Sequence, residues 1–100
     1  MFLGGNMHTV IVIMTCKPGL REGIAESLPA SQVETRAFEG CLLLEMYLDQ
    51  DHPDKIMMWE KWESRAHQEK YIAWRMETGM LEALEPILAE PLEVMHYSSY

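Results

Sequence analysis

The sequence predicts an α+β domain in which a four-stranded antiparallel sheet carries its helices on one face. Strand-like and helical segments follow one another in the order β-α-β-β-α-β, with the second helical region broken in two. One hundred residues with an ordinary hydrophobic fraction of 48% suffice for one modest core. This order of elements is typical of the ferredoxin-like βαββαβ fold.

The first part of the chain reads as a strand followed by a helix. Residues 8–16 (HTVIVIMTC) are rich in β-branched side chains and end at a Lys-Pro-Gly turn. A helix is predicted from Leu20 to about Ala37, with a kink at Pro29 because proline cannot donate to the preceding turn. The apolar stripe that predicts this helix consists of Leu20, Ile24, Leu28, Val33 and Ala37.

Glu39-Gly40 turns the chain into the second strand, and a polar hairpin separates the second strand from the third. Ser64 is the predicted N-cap of the next helix, which Thr78-Gly79 interrupts. Pro86 ends or bends the helical segment that follows. The predicted elements are two strands, two helical segments and a last strand: 41–49, 56–63, 65–76, 80–88 and 92–99.

The strands are apolar on both faces, and this predicts a homodimer. A half-buried antiparallel strand should alternate apolar and polar residues, whereas VIVIM, CLLL and IMMW do not. The helices can cover one face of the sheet, so a second copy of the sheet is the simplest cover for the other face. The alternatives are that side chains at the strand ends fold over that face, or that the strands have other boundaries.

Charge and cysteine content narrow the choice of partner and compartment. Eight basic and sixteen acidic residues give a net charge of −8, which disfavours nucleic acid and anionic membrane surfaces. Two cysteines do not resemble a disulfide framework, so we expect a cytoplasmic protein. Residues 1–6 are expected to form a flexible extension, and residues 7–100 a single domain.

The sequence contains no P-loop, GxGxxG motif or nucleophile elbow, and no convincing spacing of metal ligands. We therefore expect no cofactor and no metal.

One face of the predicted helix 65–76 mixes aromatic and polar groups. His67, Tyr71, Trp74 and Arg75 follow a helical spacing and share that face. The functional interpretation is a pocket between helix and sheet with apolar walls and a few convergent polar groups. The structural interpretation is that Arg75 extends to solvent while the other polar groups bind nearby backbone.

On the third strand, alternation separates the two tryptophans. Trp62 shares one face with Glu60 and is expected to face the helices, whereas Trp59 is expected on the dimer side. Pairing across the hairpin places Tyr47 opposite Met57 and Glu45 opposite Trp59. An inward carboxylate such as Glu60 has to be paired or protonated.

Five short motifs together resemble the antibiotic biosynthesis monooxygenase domain family. They are KPG after the first strand, FEGCL at the second, the DxxxPDK hairpin, the WExWES junction and AEPLEV before the last strand. The resemblance covers roughly residues 9–97. It implies the ferredoxin-like fold and a dimer whose two sheets close into an α/β barrel. The family includes cofactor-free monooxygenases of quinols, haem-degrading enzymes and isomerases of small signalling molecules.

The function that the resemblance implies is cofactor-independent oxygenation of a small quinol or phenolic substrate by molecular oxygen. The candidate catalytic residues are His67 as the base, Tyr71 as its hydrogen-bonding partner and Arg75 as the anion stabiliser. The candidate substrate-binding residues are Trp62, Trp74 and Glu60. The alternatives are an isomerase of a small carbonyl metabolite and a non-catalytic small-molecule binding module. The segment 78–88 lacks the histidine that haem-degrading members carry there.

Overall fold

The computed structural model describes residues 7–100, and the predicted extension at residues 1–6 lies outside the described residues. The strands and helices occur in the predicted order. They are β1 (His8–Thr15), α1 (Arg21–Ala37), β2 (Cys41–Leu48), β3 (Lys55–Trp62), α2 (Arg65–Glu77), α3 (Met80–Leu84) and β4 (Glu93–Ser98).

The four strands form one antiparallel sheet in the order β2-β3-β1-β4, which confirms the ferredoxin-like α+β fold. The strand β1 lies in the interior of the sheet, between β3 and β4. The hairpin of β2 and β3 has the predicted register, with Tyr47 opposite Met57 and Glu45 opposite Trp59. A one-residue slip would reverse every inward side chain, so this register fixes which residues of β3 face the helices.

The core lies between the sheet and the helices. Alternate residues of β1, among them Val10 and Met14, are buried against the helices, and Ile56 and Trp62 of β3 join them. As predicted, Ser64 caps α2, where its hydroxyl accepts a hydrogen bond from the backbone N–H of His67. Among residues 7–100, no helix combines the length and the apolar character that crossing a membrane requires.

The inward face of α1 differs from the prediction in its second half. Val33, which the predicted stripe placed inward, is 65% exposed. Gln32 and Thr35 are buried instead. The four-residue spacing of Ile24 and Leu28 continues to Gln32 rather than Val33, so the helix turns polar residues toward the interior. Such residues need hydrogen-bonding partners, which the helices and a cavity supply.

The sheet face opposite the helices has an apolar centre, and no element among residues 7–100 covers it. Ile11 and Met57 are partly exposed there, and Tyr97 is half exposed. Trp59 also lies on this face, with the ammonium nitrogen of Lys61 5.6 Å from its ring centroid. The sequence predicts a dimer because its strands are apolar on both faces, and the residues on this face are the ones expected to be apolar there.

The turn between α1 and β2 has little room. Gly40 has φ +90°, in the region that favours glycine, and its carbonyl accepts a hydrogen bond of 2.8 Å from the N–H of Glu63. A β-carbon at Gly40 would overlap the side chain of His67. The turn is therefore fixed against both the end of β3 and the first turn of α2.

Candidate functional site

A cavity of about 340 Å³ lies between the helices and the inner face of the sheet. Its size falls at the lower end of the range for small-molecule sites. Most of its wall is apolar, and it includes Val12, Met14, Leu44, Met58, Ile72 and Leu84. Polar side chains also reach the wall, among them Gln32, Thr35, Glu60, Gln68, Tyr71 and Arg75.

Glu60 is a buried carboxyl group on the inner face of β3. It is 6% exposed, and its Oε1 accepts a hydrogen bond of 2.9 Å from the indole N–H of Trp62. Burial raises the pKa of Glu60 above its ordinary value, and the bond from Trp62 only partly offsets this effect. Among residues 7–100, no lysine or arginine forms an ion pair with it. The site therefore holds a carboxyl group that can exchange a proton closer to neutral pH than an exposed glutamate can.

Arg75 connects α2 to α1 through several hydrogen bonds. Its Nε donates to the hydroxyl of Tyr71 at 2.9 Å, and its Nη2 donates to the Ser31 carbonyl at 2.8 Å and to Thr35 Oγ1 at 3.0 Å. Its Nη1 donates to Glu34 at 3.4 Å. The Tyr71 hydroxyl also lies 2.7 Å from Thr35 Oγ1. Most of the guanidinium's donors are thus engaged within the protein.

Trp62 and Trp74 stand behind the cavity wall rather than in it. They pack with Phe38 and Tyr71 in an aromatic cluster in which the Trp62 and Tyr71 ring centroids are 5.1 Å apart. The guanidinium carbon of Arg75 lies 4.7 Å from the centroid of Trp74. The cluster fixes the position of Tyr71, and Trp62 reaches the site through its bond to Glu60.

His67 lies in the first turn of α2, next to Gly40, and is not among the residues that line the cavity. Its Nδ1 is 2.7 Å from the hydroxyl of the capping residue Ser64. The predicted shared face is therefore split, because Tyr71 and Arg75 reach the cavity and His67 does not. Of the sequence-predicted residues, the structure brings Glu60, Tyr71 and Arg75 together at the cavity.

Gln32 and Gln68 belong to the cavity wall, and the sequence reasoning missed both. They are 5% and 3% exposed, which is unusual for glutamine. A signal was present, because each glutamine stands four residues from an apolar residue of the buried stripe, Leu28 or Ile72. A polar residue at a core position of an amphipathic helix indicates a hydrogen-bonding partner or a ligand.

Two cysteines and two histidines lie outside the cavity wall. Burial raises the pKa of the Cys16 and Cys41 thiols, so both favour the protonated, less nucleophilic form. His8 and His96 are hydrogen-bonded to each other at 2.7 Å between β1 and β4, and burial lowers the pKa of both. Within residues 7–100, no three His, Cys, Asp or Glu side chains are grouped so that they could hold a metal ion.

Solved structures of the same fold span nearly the whole chain. The protein PA3566 from Pseudomonas aeruginosa is 21% identical, with a TM-score of 0.81 and coverage of 99% of both chains. A conserved protein from Methanosarcina mazei Go1 is 18% identical, with a TM-score of 0.83 and coverage of 97% of this chain and 96% of the other. Protein SO0527 from Shewanella oneidensis is 19% identical, with a TM-score of 0.81 and coverage of 95% and 92%. At these identities the likeness establishes the fold alone.

The sequence itself matches a protein family over most of its length. No curated protein matches the chain. The model of the family described as antibiotic biosynthesis monooxygenase matches residues 7–86, which include β1 through α3 and the polar residues of the cavity wall. The chain therefore belongs to the antibiotic biosynthesis monooxygenase family.

Proposed function

We propose that the protein is a cofactor-independent monooxygenase that oxidises a small quinol or phenolic compound with molecular oxygen. Family membership supports a monooxygenase or a related small-molecule role. The observation that carries the proposal further is Glu60, a buried carboxyl group with a raised pKa at the wall of an apolar cavity. Such a group is suited to remove a proton from a weakly acidic hydroxyl near neutral pH.

The proposed reaction starts at a hydroxyl group of the quinol. Glu60 accepts the hydroxyl proton, and the electron-rich phenolate passes an electron to oxygen and then combines with the reduced oxygen at a ring carbon. Glu60 returns its proton to the distal peroxide oxygen, and the O–O bond breaks as the ring carbon loses its hydrogen, which leaves a hydroxyquinone and water. One quinol and one O₂ thus give one hydroxyquinone and one H₂O, and the substrate supplies all the electrons.

In this proposal Glu60 takes the role of base that the sequence suggested for His67. His67 lies beside Gly40, outside the cavity wall, whereas Glu60 lies in that wall. Tyr71 and Arg75 also reach the wall, and the hydrogen bond between them and their bonds to Thr35 hold them in fixed positions. The positive charge of Arg75 and the hydroxyl group of Tyr71 stabilise negative charge that develops on the substrate or on reduced oxygen. Trp62 acts as a positioning residue through its hydrogen bond to Glu60.

The test is oxygen uptake by purified, demetallated protein with a panel of hydroquinones and polycyclic phenols. We expect uptake above the rate of autoxidation, and Arg75→Leu should reduce it about tenfold or more through loss of electrostatic stabilisation. His67→Ala decides between the two candidate bases. A rate within about threefold of wild type supports Glu60, and a loss of about 100-fold would return the role to His67.

An isomerase of a small carbonyl metabolite is the second candidate, and the same carboxyl group favours it. A base in an apolar cavity removes a proton next to a carbonyl as readily as it removes one from a hydroxyl group. If oxygen uptake never exceeds autoxidation, the monooxygenase proposal fails. Deuterium exchange into a hydroxyketone substrate, dependent on Glu60, would then support the isomerase. With neither activity, the protein would be a binding module.

We also propose that two chains pair through the uncovered sheet face. Trp59→Glu should dissociate or unfold the dimer, because a charge would then be buried in the interface. Sedimentation equilibrium at micromolar concentration measures the result. Val33→Glu, the same kind of change at an exposed residue of α1, is the matched control and should leave the dimer intact. A stable wild-type monomer of 11.6 kDa would contradict the proposal.

A further inference from the structure

The polar groups of the cavity wall differ in how much of their hydrogen-bonding capacity the protein uses. Within residues 7–100, the side-chain amide of Gln68 makes no hydrogen bond, and that of Gln32 only approaches the sulfur of Met46 at 3.8 Å. Glu60 accepts one bond, from Trp62, at one of its two oxygens. Buried polar groups are normally satisfied, so three incompletely used groups around one cavity, on α1, β3 and α2, indicate a missing partner.

The three residues that carry the unused atoms all line the cavity. Among the described residues, no fully enclosed side-chain nitrogen or oxygen lacks a partner. The unpaired atoms of Gln32, Glu60 and Gln68 therefore retain access to open space. Beside Gln32 and Glu60 this space is the cavity, and beside Gln68 it is the cavity together with a shallower groove that adjoins it near β4.

The positively charged group of the cavity wall, the Arg75 guanidinium, is already hydrogen-bonded within the protein. Arg75 donates to Tyr71, Ser31, Thr35 and Glu34, and it stacks on aromatic rings. An anionic ligand would thus meet a buried carboxyl group and a guanidinium whose donors are largely engaged. A cationic ligand would meet the guanidinium in the wall and would also lose its own hydration.

We propose that the side-chain amides of Gln32 and Gln68 select the ligand of this cavity by binding one of its oxygens, in an uncharged ring compound such as the quinol or phenol proposed above. Glu60 accepts from the hydroxyl group, and the amides of Gln32 and Gln68 bind the other oxygen, since an amide both donates and accepts. Gln32 and Gln68 are thus specificity-determining residues. This inference shares its cavity with the proposed function and requires no particular reaction there.

Three bicyclic probes of similar size test the charge preference of the wild-type protein. They are 7-hydroxy-1-tetralone, which is neutral and carries both oxygens, 2-naphthoate and naphthalen-2-ylmethylammonium. Calorimetric titration at pH 7 should show the hydroxytetralone binding at least about tenfold more tightly than either ion, since burying an uncompensated charge is costly. Tighter binding of either ion, or equal binding of all three, would overturn the proposal.

Two substitutions of nearly equal shape test the residues. Gln32→Met and Gln68→Met should each weaken hydroxytetralone binding about fivefold to tenfold, the effect of one lost neutral hydrogen bond. Binding of the apolar analogue tetralin should change less than twofold. The matched control is Gln50→Met, in the β2–β3 hairpin and outside the cavity wall.

Unchanged hydroxytetralone binding in both variants would contradict the assignment of specificity to these glutamines. If a variant does not fold, the three-probe comparison on wild type still decides the ligand class. Glutamine-dependent binding without oxygen uptake would reject the monooxygenase and leave this inference standing. Oxygen uptake from substrates that bind equally well without the two amides would support the monooxygenase and reject this inference.

Discussion

Replacing Glu60 with glutamine is expected to lower the rate of quinol oxidation by about 100-fold or more, the scale expected when a general base is lost. Glutamine keeps the size of the side chain and can still accept the hydrogen bond from Trp62, so the cavity should keep its shape. It cannot take up a proton. Oxygen uptake at saturating substrate should therefore fall while the apparent KM changes little.

The same substitution should make the protein more stable at neutral pH. Burial raises the pKa of Glu60 in the folded state above 4.5, its ordinary value. At pH values between 4.5 and the raised pKa, Glu60 keeps its proton in the folded chain and has lost it in the unfolded chain. The free energy of unfolding therefore falls as pH rises through this window. At higher pH the loss remains constant. Glutamine does not ionise, so Glu60→Gln should remove this decline.

Urea unfolding of wild type and variant at several pH values from 4 to 8 measures this effect. Glu63→Gln is the matched control, because Glu63 is exposed and lies just after β3. We expect it to alter neither the rate nor the pH profile of stability. If Glu60→Gln retained the full rate, another group would be the base. If the variant were less stable at pH 7, the carboxylate would have a favourable partner in the folded protein.

The second large effect is expected from Gly40→Ala, which should lower the free energy of unfolding by about 2–6 kcal/mol. A non-glycine residue at φ +90° is strained by about 1–3 kcal/mol, and overpacking of a filled site costs a similar amount. The new methyl group would overlap the side chain of His67. That side chain cannot easily move, since it is held at the start of α2 by the hydroxyl of Ser64.

Gly23→Ala is the control for this prediction. Gly23 lies within α1 at ordinary φ, and a β-carbon there would have no atom within 4 Å. Alanine should stabilise the helix by about 0.5–1 kcal/mol. Thermal or urea unfolding compares the two variants with wild type. A Gly40→Ala protein within 1 kcal/mol of wild type would mean that the turn adapts and that His67 is not confined there.

The sequence predicted the elements of the fold well because local chemistry determines them. Ser64 at the start of α2, the turn at Gly79 and the polar hairpin between β2 and β3 each mark a boundary within a few residues. Alternation along β3 predicted correctly that Trp62 faces the helices and Trp59 the opposite side. Register and face thus followed from short-range patterns alone.

The site was less predictable because its side chains choose partners far away in the sequence. Arg75 binds Thr35, 40 residues away, and this contact decides that the guanidinium is committed. His67 has helical spacing to Tyr71, yet its place beside Gly40 depends on how α2 meets the turn after α1. The predicted apolar stripe included Val33 and so placed its neighbour Gln32 on the outer face of α1. In the structure Val33 is exposed and Gln32 is buried.

The place of β1 inside the sheet has a consequence for how the chain folds. This strand is synthesised before both of its neighbours in the sheet, β3 and β4. His8 pairs with Trp62 on one side and with Ser98, 90 positions later, on the other. The backbone N–H and C=O groups along one edge of this apolar strand therefore stay unpaired until residues 93–98 arrive. During synthesis, protection of this nascent strand from other chains has to come from the helices or from chaperones.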